Sequence, residues 1–164
     1  MSMTQDELDH FLMGMALKLA EQAAFKGETP VGALICRGDE ILGSASNRRE
    51  TTKDPVGHAE ILAIREAARR VRDWRLVGCT LYVTLEPCPM CLGACLISRV
   101  DRVVYGASEP KWGALGSVVN LLSEKSFPHT LEVRSGVLAE KSAQLLHEFF
   151  AALREKEEEE EPEG

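Results

Sequence analysis

Two short stretches constrain this chain more than anything else in it. They are His58-Ala59-Glu60 and Pro87-Cys88-Pro89-Met90-Cys91. Each opens a segment with helical patterning. From Ala59 to Val71, Ile61, Ile64, Ala68 and Val71 repeat as an apolar face, while Arg65, Arg69 and Arg72 lie elsewhere on the surface. Pro89 to Ile97 reads as a further helix, preceded by an alternating strand-like run from Thr80 to Leu85 that Glu86-Pro87 breaks. One imidazole, two thiols and a carboxylate thus arrive at two loop-to-helix entries. If they serve one ion, two helix N-termini must converge, which excludes most ways of arranging the chain between them. Helix N-termini also favour anionic ligands such as thiolates.

A zinc ion held by one His and two Cys keeps a fourth position free for water, whereas a structural site takes four protein ligands. His58, Cys88 and Cys91 supply three, and His10, His129 and His147 are the remaining imidazoles. Zinc lowers the pKa of water at the open position toward neutrality. Glu60 follows His58 by two positions, so on an ideal helix the two side chains diverge and do not share one metal. Glu60 is placed instead to take a proton from the water, deliver it to a ring nitrogen and protonate a departing amine. Such a set suits hydrolytic removal of an amine from a heteroaromatic ring.

Each piece has a plainer reading. A His at a helix start is ordinarily a cap or surface residue, and a Glu in a first turn is ordinary helix charge. Cys88 and Cys91 alone fit a thioredoxin-like redox pair. A redox pair has no use for His58 and Glu60 at a second helix entry. A non-catalytic zinc or RNA-binding module stays open beside the enzyme reading.

The rest of the chain supplies the scaffold. Gln5 to Phe25 reads as a helix with Leu8, Phe11, Leu12, Met15 and Leu19 as its stripe, stopped at Gly27. Val31 to Cys36 and Glu40 to Ala45 read as a hairpin turning at Gly38-Asp39. Ser46 to Gly57 is polar loop. Val100 to Ala107 reads as a strand, Ser108 to Gly116 as loop, Val118 to Leu122 as a short apolar piece and Leu131 to Val137 as a last strand. Ala139 to Arg154 closes as a helix with Leu145, Leu146, Phe149 and Leu153 on one stripe. A mixed sheet with helices on its faces follows from this order. Cys36, Cys79 and Cys95 lie in apolar runs and read as buried thiols.

Charge divides the chain of 164 residues into a body, 1–154, and a tail, 155–164. The net charge is −7, but the tail holds seven acidic residues and one Lys, which leaves the body near neutral. The tail reads as disordered. An acidic start with no long apolar run, together with an odd number of cysteines, points to a reduced, cytoplasmic compartment and no membrane.

Beyond these motifs the chain resembles the tRNA-specific adenosine deaminases of the cytidine-deaminase-like zinc deaminase superfamily. Their signature is H-x-E followed by P-C-x-x-C. The resemblance includes Pro30-Val31-Gly32-Ala33, Asn47-Arg48, Asp54-Pro55, Thr84-Leu85-Glu86, Ser98-Arg99-Val100, the run Arg102 to Ala107, Lys111 and Gly116-Ser117. It implies an α/β, three-layer cytidine-deaminase-like fold with a central mixed five-stranded sheet and helices on both faces. It implies one Zn²⁺ per subunit on His58, Cys88 and Cys91, with Glu60 as proton shuttle. Asn47 would bond the flipped adenine, and Val31 and Ala59 would line its pocket. Lys111, His129 and Phe149 fall in segments implied to meet a tRNA anticodon stem-loop across a homodimer boundary. The implied reaction converts a wobble adenosine to inosine; a deaminase of free guanine, cytosine or their nucleosides is the competing enzyme. Gly57, Trp112, Pro128 and Thr130 depart from the family's usual residues.

Overall fold

The structure, a computed structural model, describes residues 2–160. Five strands form one mixed sheet in the order β2-β1-β3-β4-β5. A hairpin of β1 (Gly32–Arg37) and β2 (Glu40–Ser46) supplies one side, turning through Gly38 at φ +60. Next to β1, antiparallel, lies β3 (Thr80–Leu85); β4 (Arg102–Ala107) and β5 (Glu132–Arg134) continue parallel to it. Helices α3 (Ala59–Val71) and α4 (Pro89–Ile97) cover one face. The other face packs against α1 (Gln5–Phe25) and α5 (Ala139–Glu160). The expected three layers and mixed five-stranded sheet are both present.

Helices α1 and α3 stand where the periodicity put them, but the faces they bury are rotated. On α1 the buried stripe is Leu12, Met13, Ala16, Leu17, Ala20 and Ala23, while Phe11 is 54% exposed. Small residues explain this. A Cβ on Gly32 of β1 would be driven into the Ala16 carbonyl and lie 2.9 Å from the Ala20 nitrogen. Likewise α3 buries Ala59, Ala63 and Ala67, not the larger Ile61 and Ile64, because it rests directly on Gly43 of β2. Close approach of backbone to backbone outranks side-chain size at both contacts.

Other boundaries moved. The loop from Ser46 to Gly57 contains a single helical turn, α2 (Arg49–Thr52). The apolar piece near Val118 becomes a short 3₁₀ turn, Leu121–Ser123, and the last strand is only Glu132–Arg134. Helix α5 runs past Arg154 into the acidic tail, to Glu160. Glu and Lys are strong helix formers, and extending an existing helix is far easier than nucleating one. Residues 161–164 lie outside the described residues. Cys36, Cys79 and Cys95 are buried free thiols, as expected.

One polar cluster ties the layers together. Asp9 of α1 is fully buried and accepts hydrogen bonds from Arg102 at 2.9 and 2.8 Å, Arg134 at 2.8 Å, Tyr82 at 2.8 Å and Gln5 at 2.8 Å. Burial alone would raise the Asp9 carboxyl, but these donors outweigh it and hold it far below the usual carboxylate range.

Candidate active site

The topology gathers the site at one edge of the sheet. Strand β1 begins where β2 and β3 end: Gly32 pairs with Ser46, and the Gly32 N–H donates to the Thr84 hydroxyl. Val31, Asn47 and the segment from Glu86 to Cys91 therefore share that edge. The end of β4 joins them, since the Glu86 N–H donates to the Ala107 carbonyl. His58 is the residue before α3 and Cys88 the residue before α4, both in extended conformation, with Pro89 at the first position of its helix.

Two helix entries meet there as the motifs require. His58 Nδ1 lies 3.7 Å from Cys88 Sγ and 3.4 Å from Cys91 Sγ, and the three ligand atoms fall within 4.8 Å of one another. Zn–S bonds of about 2.3 Å and a Zn–N bond of about 2.0 Å at tetrahedral angles put N and S about 3.5 Å apart. The observed spacings match that edge, and no fourth His, Cys, Asp or Glu joins the group among the described residues. The donor set therefore fits zinc with one position left open.

Electrostatics divide the three ligands. A hydrogen bond from Cys91 leads in drawing the Cys88 thiol down to about 4, helped by His58. Its counterpart Cys91 is pushed up by the same contact and by burial. His58 is raised, chiefly by its contact with Cys88 and also by the nearby Glu60 charge. Glu60, 5% exposed at the start of α3, is raised by desolvation. A carboxyl so placed holds a proton more readily than an exposed one, which suits a group that must take up and pass on protons.

The other expected residues divide by place. Asn47 is 7% exposed; its side chain donates to the Thr29 carbonyl and accepts from the Arg49 N–H, both at 3.4 Å. Bonds that long are at the weak end of the range, so the amide can be redirected. Val31 and Ala59 are both buried, and the Asn47 N–H donates to the Val31 carbonyl. Lys111 is exposed on the loop that docks against Pro87 through the Ala114 N–H. His129 does not join them. Its Nε2 meets the Val100 carbonyl at 2.8 Å, next to the start of β4, so about one strand length, roughly 17 Å, separates it from the Cys88 edge. It lines a groove of about 330 Å³ with Leu96, Leu122, Lys125, Pro128 and Thr130. Phe149 is half-buried on α5, edge-to-face with Phe150 at 5.4 Å. Gly57 has a local reason: a methyl there would crowd Asp54 at 3.2 Å. Nothing in the structure explains Trp112, which is 67% exposed.

Sequence reasoning missed two carboxylates here, Glu28 and Glu86, which are 1% and 2% exposed. Burial pushes both up, yet hydrogen bonds from Thr51 and Glu50 to one, and from Ser117, Glu109 and Leu115 to the other, hold both below the ordinary range. A Glu between a strand end and a ligand motif was the available signal at Glu86, and it passed for a breaker.

The two converging helix entries, with their three ligands and buried acid, define a class of zinc-dependent deaminases acting on nucleobases. Residues 6–107 match the model of the family described as cytidine and deoxycytidylate deaminase zinc-binding region, and the chain belongs to this family, among its tRNA-specific adenosine deaminases. It is similar to the tRNA-specific adenosine deaminase of Bacillus subtilis, 51% identical over 94% of this chain and 94% of the relative. The Haemophilus influenzae tRNA-specific adenosine deaminase is 47% identical over 93% of this chain and 88% of the relative. A solved structure from work on A-to-I editing by tRNA:A34 deaminases at the wobble position superposes with a TM-score of 0.80. It is 38% identical and covers 83% of this chain and 99% of its own.

Proposed function

We propose that this chain converts the wobble adenosine of a tRNA anticodon loop to inosine, with His58, Cys88 and Cys91 holding one zinc ion and Glu60 moving the protons. The observation that carries the reading is the three ligand atoms within 4.8 Å of one another beside a buried, upward-shifted Glu60. Zinc in that position supplies Lewis acidity that makes water a nucleophile near neutral pH. Glu60 takes a proton from the attacking water and passes it to adenine N1, then takes the remaining proton from the hydroxyl added at C6 and gives it to the exocyclic nitrogen as the C6–N6 bond breaks and ammonia leaves. Asn47 turns its amide from Thr29 and Arg49 to the edge of the flipped base. Val31 and Ala59 pack against the ring.

A base inside a duplex cannot reach an atom at this depth, so a splayed loop nucleotide suits the site. Lys111 stands on the loop beside the triad and meets the phosphate backbone. His129 lies away from the triad of its own protomer, and Phe149 is half-buried on α5. We assign them to RNA that crosses to a second copy, in a homodimer working in the cytoplasm. No described helix is long and apolar enough to cross a membrane.

The test is mass analysis of an anticodon stem-loop carrying a wobble adenosine, run beside free adenosine, cytidine and guanine. The expected product shows NH replaced by O at that one nucleotide, with no turnover of the free compounds. Turnover confined to the free compounds would overturn the tRNA assignment. RNA binding with no turnover, unchanged in Glu60→Gln, would make the chain a binding module.

A further inference from the structure

Glu28 and Glu86 are each almost fully buried and have no ion-pair partner among the described residues. An isolated carboxylate in such a place is strongly disfavoured unless backbone and hydroxyl donors satisfy its lone pairs. Both are satisfied by loops distant in sequence. Glu28 accepts from the Glu50 N–H at 3.0 Å, the Thr51 N–H at 2.7 Å and the Thr51 hydroxyl. Glu86 accepts from the N–H groups of Glu109 at 3.1 Å, Leu115 at 2.9 Å and Ser117 at 3.2 Å, and from the Ser117 hydroxyl.

The two loops have one thing in common, which is their place. The first runs from Asn47 to His58 and is closed by the Arg48 N–H donating to the Gly57 carbonyl. The second carries Lys111 and Trp112 and docks on Pro87, next to Cys88. Gly113 lets it close down: a Cβ there would fall inside the Glu86 carboxylate. So the loops on both sides of the triad are anchored by the same device. We infer that Glu28 and Glu86 are positioning residues whose buried carboxylates pin the two loops flanking the triad, and that they set how the RNA is engaged, not the chemistry at the ring. The RNA part of this inference rests on the anticodon stem-loop reading above.

Gln is close in shape to Glu but turns one acceptor into a donor pair, facing donors already in place. Glu28→Gln and Glu86→Gln, each in the zinc-loaded full chain, therefore release the loops. Two measurements decide the matter. Amide hydrogen exchange should quicken about tenfold or more at residues 50 and 51 in the first variant and at 109, 115 and 117 in the second. Amides of β1, β3 and β4 should keep their protection in both. On the stem-loop, KM should rise about tenfold while kcat stays within about threefold and zinc content is unchanged. Should a Gln variant fail to fold, Thr51→Val and Ser117→Ala remove one donor each and keep the charge; they should raise KM about two- to threefold. Unchanged exchange at the named amides overturns the inference, as does a fall in kcat with zinc loss at constant KM. If the wild type leaves the stem-loop untouched, the tRNA reading is what fails, and the exchange arm alone decides whether the loops are pinned.

Discussion

Asp9→Asn should lower the stability of this protein by about 3 kcal/mol. Five donors converge on the Asp9 carboxylate: two from Arg102 and one each from Arg134, Tyr82 and Gln5. Asn keeps one acceptor oxygen, places an NH₂ among those donors and removes the one carboxylate that pairs with Arg102 among the described residues. The Arg102 side chain is 20% exposed and that of Arg134 is 33% exposed. Breaking a buried pair by removing one partner costs about 3–5 kcal/mol, and the access of Arg134 to water puts the figure at the low end. At about 2–4 °C per kcal/mol for a chain of this size, the melting midpoint falls by about 6–12 °C. Thermal unfolding of the zinc-loaded protein followed by circular dichroism is the assay. Asp6→Asn is the control, because Asp6 is 65% exposed and its pairs with Arg134 and His10 are surface ones. A midpoint for Asp9→Asn no lower than that of the control would refute the reasoning. The pH dependence follows with a definite sign. Because the folded Asp9 carboxyl sits far below its unfolded value of about 4, its contribution is full above that value. It is lost as pH falls below about 4, so Asp9→Asn should flatten that acid limb.

Other outcomes follow from the site and its support. Glu60→Gln should cut deamination by about 10²- to 10⁴-fold while metal analysis still finds one zinc per chain; loss of the zinc would make Glu60 a structural residue. In metal-free protein, iodoacetamide should label Cys88 first, since its thiol is drawn down to about 4 and the other four cysteines are buried. The labelling rate should stay flat from about pH 6 to 9 and drop when zinc is added, whereas a rise through about 8.5 would mark an ordinary thiol. Gly43→Ala drives a methyl into the Ala63 carbonyl and to 2.8 Å from the Ala67 nitrogen, so α3 must lift. That should cost about 1–3 kcal/mol in denaturant unfolding, and an unchanged midpoint would show that α3 has slack against β2.

What could be read from the sequence was what rests on local periodicity or on a motif. The alternation from Thr80 to Leu85 and the helical repeat from Ala59 to Val71 located β3 and α3 to the residue. The ligand groups were legible because His, Cys and Glu at those spacings have few other uses. The buried stripes of α1 and α3 were not. Periodicity weighs large apolar residues, whereas contact at Gly32 and Gly43 demands small ones, and the partner glycine lies on another element. Glu28 and Glu86 escaped for a related reason. Their donors are up to 31 positions away, so each carboxylate looks like turn chemistry until the loops fold over it. His129 was named by resemblance as part of a surface that meets RNA, and only the parallel step from β4 to β5 shows that it stands at the opposite edge of the sheet from Cys88. The acidic run after Arg154 was read from charge alone, and charge says little about whether a helix already under way will continue.

X-ray absorption at the zinc edge of the purified protein tests the central claim most directly. The account predicts one zinc per chain with two sulfurs at about 2.3 Å, one imidazole nitrogen at about 2.0 Å and one light atom that no side chain supplies. That light atom should change when an adenine-bearing stem-loop is bound. A shell of four protein ligands, or a protein that binds no zinc at all, would contradict it.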